Sequence, residues 1–107
     1  MPSVARNVFR DNLLAGQAAL VTGGGSGINR GIARRLAAYG ARVLVVGRRQ
    51  EKLDETVALI RADGGEAMGI SADVRDFAAL QAAARQGAEA FGPWRIVVAG
   101  AAGNFLA

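Results

Sequence analysis

The sequence contains neither cysteine nor histidine. Without cysteine, disulfides and thiolate metal sites are excluded. Without histidine, the commonest general base and metal ligand is missing. Tyrosine and lysine occur once each, as Tyr39 and Lys52, and aromatics make up only 6% of the chain. No apolar run approaches the roughly 20 residues needed to span a membrane. Met1 to Asn12 carries arginines but no apolar centre long enough for a secretion signal. Asp11 argues against a transit peptide. Residues 1–15 therefore read as an extended leader, and the cytoplasm is the expected location.

Charge is lopsided: a formal +4 and a pI near 11.0 raise the question of nucleic acid. The arginines are scattered, however, and acids are interleaved with them, as in Arg48-Arg49-Gln50-Glu51-Lys52. No aromatic-basic alternation suited to base stacking occurs. The basic residues read as solvated helix faces, with no nucleic acid and no membrane as partner.

What is present is alternation. With 51% hydrophobic residues, a chain of 107 can bury one core. Residues 17–22 read as a first strand and 28–39 as a helix, with Ile28, Ile32 and Leu36 recurring every four residues. Gly40 ends that helix. Residues 42–46 form a second strand, whose unbroken Val43-Leu44-Val45-Val46 implies burial on both faces. A second helix spans 50–62, stopped by Asp63-Gly64-Gly65, and a weaker third strand spans 67–71. A third helix spans 76–91, with Phe77, Leu80, Ala84, Ala88 and Phe91 on one stripe. Residues 95–99 form a fourth strand, with loop from Gly100 onward. The expected architecture is α/β: a doubly wound parallel sheet in the order 3-2-1-4, the first part of a Rossmann fold, truncated after the fourth strand. All 107 residues are expected to form a single N-terminal portion of such a domain.

The stretch Thr22-Gly23-Gly24-Gly25-Ser26-Gly27-Ile28-Asn29 joins the first strand to the first helix. Glycines permit a tight turn and a close approach to a ligand. The first N–H groups of a helix have no internal acceptor, and the dipole is positive there, so an anion such as a pyrophosphate fits. Amides between residues 23 and 28 are therefore expected to grip a diphosphate. The common G-x-G-x-x-G pattern fails, because its third glycine would fall on Arg30, and the P-loop fails for want of a lysine. The pattern that fits is T-G-x-x-x-G-x-G with Asn29 in the last place. That pattern, after a strand and before a helix, resembles the short-chain dehydrogenase/reductase family. Asparagine is bulkier than the family's glycine but can hydrogen-bond a neighbouring N–H, and Gly31 can restore close approach.

The resemblance implies the remaining assignments. Gly23, Ser26, Gly27 and Ile28 would hold the pyrophosphate. An acidic residue at the end of the second strand would bind the ribose of NAD, but Gly47-Arg48-Arg49 stands there. Arg48 and Arg49 suit a 2′-phosphate, so NADP is expected over NAD; the alternative is a solvated pair opening a helix. Asp73, followed by Val74, resembles the family's adenine-binding aspartate, while Asp76 reads as a helix cap. The backbone of Ala99, Gly100 and Ala101 would line the ribose, where the family carries asparagines. Thr-Gly-Gly-Gly-Ser-Gly-Ile, the later Ala-Ala-Gly-Asn-Phe and the early Phe9-Arg10-Asp11-Asn12-Leu13-Leu14 look like the 2,4-dienoyl-CoA reductase branch.

The family's catalytic serine and Tyr-x-x-x-Lys are not found: Val43 stands four residues past Tyr39. Neither Ser26 nor Ser71 has a base beside it in sequence, so no catalytic residue is assigned and the chain alone is expected to be inactive. The first two helices should cover one face of the sheet and the third the other, leaving strand four an open edge. The expected whole is a longer NADPH-dependent reductase of enoyl or carbonyl substrates, homo-oligomeric in full-length form. The rival reading is a non-catalytic nucleotide-binding or sensing module.

Overall fold

A computed structural model describes residues 13–25 and 27–99. The elements alternate as β1 (Ala18–Thr22), α1 (Gly27–Ala38), β2 (Arg42–Gly47), α2 (Gln50–Ala62), β3 (Glu66–Ser71), α3 (Phe77–Phe91) and β4 (Trp94–Ala99). All strand pairs are parallel, and the sheet order is β3-β2-β1-β4. The expected order 3-2-1-4 is thus observed, with element bounds within one residue of the sequence reading at every end.

The two central strands explain the unbroken apolar runs. Ala18 to Thr22 and Val43 to Val46 are buried throughout, because helices cover both faces. On one face, α1 and α2 close a core of Ala19, Val21, Ala33, Val43, Val45, Leu53 and Ile60. On the other, α3 packs Ala83 against Leu20, Leu44 and Val46, with Trp94 at its margin. Trp94 Nε1 donates to the Ala84 carbonyl at 3.0 Å, tying α3 to β4.

Two apolar stripes follow the sequence reading only in part: Leu36 packs against the first core and Leu80 and Ala84 against the second, but none of them is the most buried residue of its helix. On α1 the buried residues are Ala33 and Ala37, whereas Ile28 is 83% exposed. On α3 the buried residues are Ala83 and Gly87, whereas Phe77 is 71% exposed. The cause is side-chain size. These helices lie so close to the sheet that the facing positions take alanine or glycine. A Cβ on Gly87 would stand 2.6 Å from Leu44 Cδ2 and 2.9 Å from Trp94 Cζ2. The larger residues are displaced to the flanks.

Candidate functional site

The glycine loop leaves β1 at Thr22 and enters α1 at Gly27. Gly23 has φ +70° and Gly27 φ +64°, a region that residues with a Cβ rarely adopt. The other two described glycines serve close packing. A Cβ on Gly24 would lie 2.7 Å from Val45 Cγ1, and one on Gly25 would lie 2.9 Å from Lys52 Cβ. The loop is therefore pressed against β2 and the start of α2.

Its polar groups divide between the fold and the outside. The Gly23 N–H donates to the Val46 carbonyl at 2.6 Å, extending the β1–β2 pairing by one residue. The fold thus takes up the Gly23 amide, while Gly23 itself lines both cavities described below. Gly27 and Ile28 open α1, so their N–H groups have no acceptor within the helix. No acidic residue stands in the first turn of α1, which leaves its positive end open to an external anion. Ser26, Gly100 and Ala101, which sequence reading assigned to the site, lie outside the described residues, while Ala99 ends β4 beside Thr22 of β1.

Asn29 anchors the helix start, whereas Gly31 differs from expectation. The Asn29 side chain donates from Nδ2 to the Thr22 carbonyl at 3.2 Å, fastening the helix start to the strand end. A Cβ on Gly31 would meet nothing within 4 Å, so Gly31 restores no close approach.

Two cavities meet at the carboxyl ends of β1, β2 and β3, where open parallel sheets bind ligands. The larger, about 300 Å³, is lined by Gly23, Gly47, Arg48, Ala72, Asp73, Val74 and Arg75. The smaller, about 210 Å³, is lined by Gly23, Gly25, Gly47, Arg48, Arg49, Lys52 and Leu53. Gly23, Gly47 and Arg48 are common to both. The smaller cavity carries three cations and no carboxylate in its lining. The Arg49 guanidinium is paired with Glu51 at 2.9 Å, and Lys52 Nζ stands 4.0 Å from Glu55. Among the described residues the Arg48 guanidinium forms no salt bridge. The Ser71 hydroxyl donates to the Arg48 carbonyl at 3.1 Å and so holds that backbone in place.

Asp73 is engaged by its neighbour. Its Oδ1 accepts from Arg75 N–H at 3.0 Å and from Arg75 Nε at 3.1 Å, and its Oδ2 accepts from the guanidinium at 3.0 Å. These bonds hold the carboxyl at about 2, well below its ordinary value. Asp76 accepts from the Ala79 N–H at 3.2 Å and caps α3, as expected.

Sequence reading missed Lys52, which the first turn of α2 brings to the smaller cavity. It also missed Arg30 and Thr56, which hold loop carbonyls from the α2 side. Tyr39 follows the far end of α1, about 18 Å along a 12-residue helix from the loop. There it lines an open apolar groove with Ile28, Ile32 and Leu36.

Comparison with known proteins agrees with this arrangement. A family model described as short chain dehydrogenase matches residues 17–106. A peroxisomal 2,4-dienoyl-CoA reductase of Arabidopsis thaliana is 43% identical over 103 residues, covering 92% of this chain and 33% of that protein. A metagenomic short-chain oxidoreductase solved in complex with NADP superposes with a TM-score of 0.74 at 39% identity, over 78% of this chain and 38% of that one. A Burkholderia phymatum short-chain dehydrogenase/reductase solved in complex with NAD gives a TM-score of 0.75 at 34% identity, over 78% and 30%. The chain spans about a third of the length of these relatives. The match along nearly the whole chain, on the parallel fold and glycine turn just described, places this protein in the short-chain dehydrogenase family.

Proposed function

We propose that this chain is the coenzyme-binding portion of an NADP-dependent short-chain reductase. The end of β2 carries the reading: Arg48 lines both cavities, and the smaller one gathers cations with no carboxylate to hold a ribose 2′-hydroxyl. Arg48 takes the 2′-phosphate, and Lys52 adds a second cation. Arg49 contributes less, because Glu51 already claims it. The N–H groups of Gly27 and Ile28, with Ser26, take the pyrophosphate. Asp73, ionised and oriented, takes the adenine amino group beside Val74, and the backbone of Ala99, Gly100 and Ala101 lines the ribose.

The coenzyme, when bound, supplies a hydride to an enoyl or carbonyl substrate. A 2,4-dienoyl-CoA is the first candidate, because a plant relative carries that activity in its name. No acid–base pair is assigned within this chain, so turnover belongs to the whole protein, which this reading expects as a cytoplasmic homo-oligomer.

Calorimetric titration tests the assignment. NADP⁺ should bind about tenfold more tightly than NAD⁺, a difference of about 1.4 kcal/mol. Arg48→Asp should reverse the order by repelling a 2′-phosphate; unchanged NADP⁺ affinity in that variant refutes the role of Arg48. In the whole protein, tight NADPH binding without hydride transfer to any enoyl or carbonyl acceptor would favour a nucleotide-sensing module.

A further inference from the structure

We propose that Arg30 and Thr56 form a positioning network that aims the amides of the glycine loop toward a bound pyrophosphate. The inference rests on the coenzyme reading above. Thr56 is fully buried in α2, and its hydroxyl lies 2.8 Å from the Gly24 carbonyl and 3.3 Å from the Lys52 carbonyl. Arg30 Nε donates to the same hydroxyl oxygen at 2.8 Å. The Arg30 guanidinium also donates to the Gly25 carbonyl, to the Lys52 carbonyl at 3.2 Å and to Glu55 at 3.0 Å.

The logic is directional. A hydroxyl has one proton, and Nε occupies an acceptor site on the Thr56 oxygen. That proton is left for the nearer carbonyl, that of Gly24. Successive loop carbonyls, those of Gly24 and Gly25, are thus drawn toward α2. In a planar trans peptide the C=O and N–H point in opposite directions. Holding the Gly24 oxygen on the α2 side turns the N–H end of the same unit, that of Gly25, away from it.

Local preference explains neither residue. Arg30 sits in the first turns of α1, near the positive end where a cation is disfavoured. Thr56 occupies the interior of α2, where threonine is a poor helix former. Residues that run against local preference mark places where a site sets the choice.

The test compares two ligands in the intact protein. NADP⁺ contains the pyrophosphate; adenosine 2′-monophosphate shares its adenine, ribose and 2′-phosphate but lacks it. Thr56→Val removes the hydroxyl at nearly constant volume, and Arg30→Lys keeps the charge without the fork. Each should weaken NADP⁺ about tenfold or more and adenosine 2′-monophosphate by a clearly smaller factor, because the network meets the 2′-phosphate cations only through the Lys52 backbone carbonyl. Thr56→Ser should restore NADP⁺ binding. A merely structural role would weaken both ligands in parallel, or lower Tm with the affinity ratio unchanged, and either result overturns the proposal. If Thr56→Val does not fold, Arg30→Lys decides by the same ratio. Wild-type protein that binds neither ligand overturns the coenzyme reading and this inference with it. Wild-type binding with an unchanged ratio in the variants overturns this inference alone.

Discussion

Arg48 and Arg49 are neighbours in sequence with different duties. Glu51 occupies the Arg49 guanidinium, while Arg48 faces both cavities. Nothing in a pair of adjacent arginines reveals which one a carboxylate two residues on will claim. The place of Asp73 just after β3 is legible in the sequence, but its fork with Arg75 is not, since that depends on the turn after β3. The fork has a measurable signature. Arg75→Ala should return the Asp73 carboxyl from about 2 toward the ordinary carboxylate value, read by NMR titration. Because the folded value is depressed, the stabilisation from this pair is complete above the unfolded value near 4. It is lost as pH falls toward 2. Between neutrality and pH 5, nucleotide affinity should therefore show no step from Asp73. A step in that range that disappears in Asp73→Asn would contradict this.

At the scale of elements, the glycine loop is the junction where β1, β2, α1 and α2 meet. Gly24→Ala should cost about 1–3 kcal/mol, as overpacking against a rigid β-branched side chain does, seen as a lower urea midpoint at unchanged slope. An unaltered midpoint would mean that the loop can move off Val45. Strand and helix positions were readable because punctuation is sharp here: Gly40, Asp63-Gly64-Gly65 and Gly92-Pro93 fall at element ends. The faces of the helices were harder to read. A stripe of large apolar residues is the usual sign of a buried face, but α1 and α3 bury alanine and glycine and leave Ile28 and Phe77 outside. The Arg30–Thr56 network escaped notice for another reason. Its partners stand 26 residues apart, and only the packing of α2 beside the loop brings them together.

Across the whole molecule, coverage of the sheet is unequal. Leu44, at the centre, is fully buried, whereas Val97, paired beside Leu20 on the outer strand β4, is 60% exposed. Val97→Lys should accordingly change the unfolding free energy by no more than about 0.5 kcal/mol. It should reduce self-association in sedimentation velocity, since a charge blunts an open strand edge. A large loss of stability would show that Val97 packs in solution against a surface supplied by another copy or by a further part of the protein. Leu44 belongs to a different regime, where truncation to alanine costs about 2–5 kcal/mol.

The seating of α1 on the sheet through Ala33 and Ala37 has one more consequence. Those two methyl groups act as spacers under a lever whose tip carries Gly27 and Ile28. Their thickness sets how low that tip rides over the strand ends, and so how snugly a charged guest is held, although neither alanine would ever touch it.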